Sequence, residues 1–244
     1  MSTGEPRKPL RIAAVGDLHV HHKPVGTFRN FFTDIGREAD AVILCGDLTA
    51  TGYTAEAENL AGDIAVCAVP VLGVLGNHDH ERGHAREIKA ILRAGKMLLL
   101  EDEPFVLGHV GFAGVKGFCG GFNRYMLTSF GEEVIKQFVG EAISESLKLE
   151  NQLRTLNAEK TVVALHYSPV TQTLVGEPPE IYPFLGSSRL AEAIDLFDVD
   201  AVFHGHAHHG SLLGKTNQGV PVYNACLELV QREDRERNCV LVEM

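Results

Sequence analysis

The chain has 244 residues, with 22 Lys+Arg against 32 Asp+Glu for a formal net charge of −10, and hydrophobic residues make up 45% of it. That length fits one domain or two small ones, and the composition excludes disordered, collagenous and coiled-coil classes. So acidic a chain argues against a general binder of nucleic acid or anionic membrane, which needs a basic face.

Residues 1–10 read as a flexible N-terminus and 11–244 as one domain. The four apolar residues Ile12 to Val15 before Gly16-Asp17 are too few for a signal-peptide core. The apolar stretch from Ala65 to Gly76 is broken by Pro70 and Gly73 and is too short to span a membrane. Five scattered cysteines (Cys45, Cys67, Cys119, Cys226, Cys239) show no Cys-x-x-Cys spacing, which predicts reduced thiols in a cytoplasmic protein.

Three apolar runs stop at a glycine followed by a polar residue: Ile12 to Val15 at Gly16-Asp17, Ala41 to Cys45 at Gly46-Asp47, and Val71 to Leu75 at Gly76-Asn77. Their glycines fall 30 residues apart, about one strand–helix–strand unit. Helices are predicted between them, over Thr27–Glu38 and Thr54–Ile64. The second is expected to be capped by Thr54, with Ala57, Leu60, Ala61 and Ile64 facing inward.

A short helix through Ile88, Ile91 and Leu92 follows. Strands are then predicted at 97–100, 161–166, 201–206, 220–226 and 238–244. Residues 105–117 form a hairpin, and the last two strands form another. Glu132–Leu156 carries apolar residues at 135, 138, 139, 143, 147, 153 and 156, a helical period. The expectation is an α/β fold of two packed sheets flanked by helices, parallel at the start and more antiparallel toward the end.

Polar residues of one kind collect where these strands stop. They are Asp17 and His19, Asp47, Asn77 with His78 and Asp79, His166, and His206 with His208. Ligands of open α/β sheets bind outside the carboxyl ends of the strands. Asp17-x-His19 and His206-x-His208 are i, i+2 pairs, which project to one side of an extended segment. Carboxylate and imidazole together hold Zn, Fe or Mn, while the absence of thiolates argues against a structural zinc cluster. Alone, each residue reads as a helix cap or surface polar group. Seven candidate ligands at separate strand ends are too many for one ion and suit two sharing a bridge. Two ions roughly 3.5–4 Å apart generate a hydroxide nucleophile and clamp an oxyanion.

Gly16-Asp17-Leu18-His19, Gly46-Asp47, Gly76-Asn77-His78-Asp79, His166 and Gly205-His206-Ala207-His208 together resemble the signature of the calcineurin-like metallophosphoesterase family, over about residues 11–209. The Asp-x-His and Gly-Asn-His-Asp forms are most similar to its small bacterial phosphodiesterases, including cyclic-nucleotide ones. The resemblance implies a four-layer α/β/β/α sandwich of two mixed sheets with a dinuclear site at the sheet edge. It implies Asp17, His19, Asp47 and His208 on one ion, and Asp47, Asn77, His166 and His206 on the other, with Mn, Fe or Zn as the metals. The implied substrate is a small phosphodiester. His78 is the candidate general acid, and Asp79 either orients it or anchors its loop. Phosphomonoester hydrolysis, nuclease action and a non-catalytic scaffold are the alternatives. The lack of a Lys/Arg cluster speaks against a nuclease, and the intact ligand set speaks against a scaffold.

His204 reads as a packed, hydrogen-bonded strand residue, and His21, His22 and His80 as solvated loop residues. Residues 117–125, with Phe122, Arg124 and Tyr125, form either a substrate-contacting loop or a surface turn. Residues 171–189 read as a long structureless loop in which Tyr182 and Phe184 serve as a lid or an oligomer contact. Gly210 to Thr216 has three residues between its glycines where a phosphate-binding loop needs four, and reads as a hairpin connection.

Overall fold

Both faces of the first strands are covered, which is why they read as unbroken apolar runs. The computed structural model describes residues 8–244, so residues 1–7 of the expected flexible N-terminus lie outside the described residues. In chain order the elements are β1 (Arg11–Val15), α1 (Arg29–Glu38), β2 (Ala41–Cys45), α2 (Thr54–Ile64), β3 (Val71–Val74), α3 (Asn77–His80), α4 (Ala85–Ala94) and β4 (Met97–Leu99). Then come β5 (Phe105–Leu107), β6 (Val110–Gly114), α5 (Glu133–Thr155), β7 (Lys160–Ala164), α6 (Tyr182–Leu185) and α7 (Ser188–Ile194). The chain finishes with β8 (Ala201–His204), β9 (Leu213–Lys215), β10 (Pro221–Asn224), α8 (Leu227–Glu233) and β11 (Val240–Glu243).

The strands form two sheets, ordered β11-β1-β2-β3-β4 and β5-β6-β7-β8-β10-β9. Alternate side chains of each strand serve two different cores. Ile12, Ala14, Ile43, Cys45, Leu72 and Val74 meet Phe112, Val162, Ala164 and Phe203 between the sheets. Ala13, Val15, Val42 and Leu44 face outward, onto Phe32 and Ile35 of α1, Leu60 and Ile64 of α2, and Ile88 and Leu92 of α4. On the far side, Val163 and Val202 pack under Leu149 and Leu153 of α5 and Leu190 and Ile194 of α7. The result is the helix–sheet–sheet–helix sandwich.

Four features depart from the sequence reading. First, the second sheet is also mainly parallel: β6, β7, β8 and β10 run together, and only the edge strands β5 and β9 are antiparallel. Second, the last two strands are not a hairpin. β10 lies in the second sheet and β11 pairs antiparallel with β1 in the first, because Leu229 and Val230 of α8 are buried and carry the chain from one sheet to the other. The second hairpin is β9–β10 instead, turning at Thr216–Gly219, so Leu213–Lys215, read from the sequence as part of a connection, is itself a strand.

Third, Thr54 does not cap α2. The Glu56 carboxylate does so from inside, its Oε2 accepting the backbone N–H of Thr51 at 2.9 Å and of Tyr53 at 3.2 Å. Fourth, residues 171–189 are not structureless. Short 3₁₀ turns at Gln172–Leu174 and Pro179–Ile181 lead into α6, and Thr173, Leu174, Leu185 and Ser187 are buried.

Candidate metal centre

Parallel strands end on one edge, and both sheets bring their carboxyl ends to the same place. Asp17, Asp47 and Asn77 follow β1, β2 and β3; His166 follows β7, and His206 and His208 follow β8. The loops are knitted together by backbone bonds, Asp17 N–H to Gly46 O at 3.0 Å and His19 N–H to Asp47 O at 3.0 Å. Across the sheets, His206 N–H donates to both Asp17 oxygens, at 3.1 and 3.0 Å, and His166 Nδ1 donates to Cys45 O at 2.9 Å.

Three of the glycines at the strand ends are packing requirements. A Cβ on Gly46 would lie 2.5 Å from His166 Nδ1, one on Gly76 would lie 2.1 Å from Asp47 Oδ1, and one on Gly205 would lie 2.4 Å from Asp17 Oδ2. His166, Asp47 and Asp17 thus occupy the space that these missing side chains leave. The backbone is also bent to aim them: Asp17, His19, Asp47 and His206 have φ of 58°, 43°, 48° and 69°. Left-handed non-glycine residues cost of order 1–3 kcal/mol each and collect at functional sites.

Three groups of donor atoms lie within 4.8 Å of one another: Asp17, His19 and His208; His19, Asp47 and His78; and Asp47, His166 and His206. Asp47 and His19 belong to two groups each, so the sites are contiguous. A carbonyl can only accept, so the Cys45 contact fixes the His166 proton on Nδ1 and leaves the Nε2 lone pair bare. That lone pair faces Asn77 Oδ1 at 2.8 Å and Asp47 Oδ1 at 3.3 Å. Three polar atoms from different strand ends therefore converge on one point, a donor set of the kind that holds a cation. His206 is analogous, its Nε2 directed to Phe184 O at 3.3 Å, leaving Nδ1 free.

Electrostatics favour the same reading. Burial drives His19 and His166 down to about 4 and His206 to about 3, so all three rings are neutral near pH 7 and can donate lone pairs. Burial, aided by the nearby Asp17 charge, pushes Asp47 up to about 7. Burial also opposes the Asp17 charge, but the hydrogen bond from His208 and the surrounding imidazoles hold its carboxyl below the usual range. His208 is raised to about 9, first by that bond to Asp17.

His78 stands at the rim with its side chain 39% exposed. Its Nδ1 donates to Ala50 O at 2.6 Å, its backbone N–H donates to Asp47 Oδ1 at 2.8 Å, and its Nε2 lies 3.8 Å from Asp47 Oδ2. Asp79 is fully buried and does not serve the His78 ring. Its oxygens accept from Leu48 N–H at 3.2 Å, Gly76 N–H at 2.8 Å, Thr49 N–H at 2.8 Å and Thr49 Oγ1 at 2.6 Å. It ties the β3 loop to the β2 loop.

The remaining histidines fall as the sequence suggests. His204 is buried and bonded to Gly205 O and Thr173 Oγ1, and His21, His22 and His80 are exposed. Arg124 and Tyr125 pair with each other in solvent, whereas Phe184 reaches the site through its carbonyl. Sequence reasoning missed Thr49, Ala50, Cys226 and Glu228, whose contacts join residues distant in the chain. A cavity of about 780 Å³ between α1 and the segment from Leu227 to Leu241 contains none of the ligands. The His/Asp cluster able to hold metal lies apart from it, at the sheet edge.

The calcineurin-like phosphoesterase family model matches residues 10–210, and the chain belongs to that family. Comparison with curated protein sequences returns no match. Among solved structures it is similar to a phosphopantetheinyl hydrolase from Mycobacterium tuberculosis, at 14% identity and TM-score 0.69, over 97% of this chain and 96% of that one. A putative 5'-nucleotidase from Staphylococcus aureus is similar at 16% identity and TM-score 0.53, over 88% of this chain and 48% of that one. So is GAP50, described as the anchor in the inner membrane complex of Plasmodium, at 14% identity and TM-score 0.53, over 91% and 73%. At these identities the likeness is one of fold. No helix among the described residues is long and apolar enough to cross a membrane.

Proposed function

We propose that this metal-dependent phosphoesterase hydrolyses a small phosphodiester, with Asp17, His19, Asp47 and His208 holding one ion and Asp47, Asn77, His166 and His206 the other. The observation that carries the reading is the convergence of His166 Nε2, Asn77 Oδ1 and Asp47 Oδ1, from both sheets, on one point. Bound Mn, Fe or Zn supplies a nucleophile from water and withdraws charge from the phosphoryl oxygens. Glycine close packing and the Asp79 anchor hold the ligand loops rigid, so little reorganisation accompanies the reaction.

His78 acts as general acid for the leaving oxygen. Its Nδ1 is held by Ala50 O, so Nε2 is the atom that gives up a proton. A diester with an alkoxide leaving group needs that proton more than an activated ester does. The acidic chain favours a small substrate over a long nucleic acid. Cyclic and linear nucleotides are candidates, and the likeness to a phosphopantetheinyl hydrolase adds phosphopantetheinyl conjugates to the substrates worth testing.

The test is hydrolysis of a p-nitrophenyl phosphodiester and of p-nitrophenyl phosphate by Mn-loaded protein, with Asn77→Ala alongside. Faster diester turnover is expected, and the variant is expected to lose more than the ~10–100-fold typical of removing a residue that only orients a ligand. Monoester preference would replace the diester reading with a monoesterase. No turnover of either ester by protein carrying two ions would favour a non-catalytic scaffold.

A further inference from the structure

The helix α8 lies beyond residues 10–210, the stretch that the family model covers, yet it touches His208 and the residue before Asp17. Cys226, its N-cap, forms a parallel backbone bridge with Gly16, the residue before Asp17. Leu227 N–H donates to Gly16 O at 3.1 Å, fixing the residue before Asp17. Glu228 Oε2 stands 3.3 Å from His208 Nδ1. Arg232, one turn later, donates to His208 O at 3.1 Å and Gly210 O at 3.2 Å. Leu229 and Val230 are buried and hold the helix in place.

We infer that Glu228 is a positioning residue for one ion only, the ion held by Asp17, His19 and His208; this rests on the two-ion reading above. An imidazole ligates through one nitrogen while the other donates to an acceptor that fixes tautomer and ring angle. Glu228 is that acceptor for His208. With Nδ1 directed to Oε2, Nε2 is the nitrogen turned toward Asp17 Oδ1, 3.3 Å away, and is the one that would ligate beside Asp17 once its proton gives way to an ion. The histidines of the other ion have backbone acceptors instead, Cys45 O for His166 and Phe184 O for His206. A side-chain substitution at 228 therefore acts on one half of the site. The Glu228 side chain is 65% exposed, so its removal takes nothing from the core.

The experiment is calorimetric titration of Mn(II), and separately Co(II) followed by its d–d absorption, into metal-free wild type, Glu228→Ala, Glu228→Gln and the control Glu233→Ala. Wild type is expected to take two ions. Glu228→Ala should weaken one binding step by about 10–100-fold and leave the other within about twofold. Glu228→Gln should weaken that step less, because its amide oxygen still accepts Nδ1–H. Glu233→Ala removes an exposed carboxylate from the same helix and should match wild type. Metal-free melting should be unchanged in all three variants. Equal weakening of both steps, no weakening of either, or the same effect from Glu233→Ala would overturn the inference. Failure of wild type to take two ions would overturn the two-ion reading itself, before any variant is compared.

Discussion

His78 adjoins a ligand in sequence but faces outward, and its two ring nitrogens have different jobs. Ala50 O holds Nδ1, and Nε2 lies 3.8 Å from Asp47 Oδ2, which leaves it for the general-acid role proposed above. We expect His78→Ala to keep both ions and to lose about 10²–10⁴-fold in kcat on alkyl phosphodiesters. On a p-nitrophenyl ester, whose leaving group departs without a proton, the loss should be small. Plotting log kcat against leaving-group pKa for wild type and variant checks this, and parallel lines would remove the acid role. The candidate ligands were legible because they stand at the ends of apolar runs, four of them (Asp17, Asp47, Asn77 and His206) directly after a glycine, a pattern that sequence displays directly. Thr49, Ala50 and Glu228 were not: an ordinary residue met by a partner 20 or 30 positions away leaves no local mark.

At the scale of elements, the strands were legible and their partners only partly so. Parallel pairing of β1, β2 and β3 follows from the repeated strand–helix spacing, but nothing local tells β11 that its partner is β1. Helix α5 shows the limit of periodicity in detail. Its buried face runs through Val139, Ala142, Glu145, Leu149 and Leu153, while Leu147, which the apolar count places inside, is half exposed. Glu145 is inside because its carboxylate accepts Gly117 N–H at 2.8 Å and pairs with Lys148 at 2.6 Å. Leu149→Ala is expected to cost about 2–5 kcal/mol, and Leu147→Ala about 0.5 kcal/mol or less. Urea unfolding midpoints of the two variants against wild type check the assignment of the face.

For the whole molecule, the metal ions are expected to act as a clasp between the sheets, since one sheet supplies Asp17, His19, Asp47 and Asn77 and the other supplies His166, His206 and His208. An ion that binds only the folded state at a concentration of 100 Kd adds about 2.7 kcal/mol per site. For a chain of this size that corresponds to roughly 5–10 °C in Tm. Stripping both ions with a chelator should lower Tm by about twice that, and Mn should restore it. A Tm indifferent to metal would mean that the glycine packing alone locks the sheets. The sandwich was legible because it needs only apolar runs with two covered faces; the clasp was legible only through the ligand pattern.

The pairing of β1 with β11 has a consequence for synthesis. β1 is made first, and its partner on one side lies most of the chain away, Arg11 opposite Glu243. Until that partner leaves the ribosome, the nascent first sheet carries an open, apolar edge, the kind of surface that recruits other chains. A product that stops after α8 would keep the complete ligand set and still be left with that edge. Premature termination near the end of this chain is therefore a hazard of aggregation before it is a loss of catalysis.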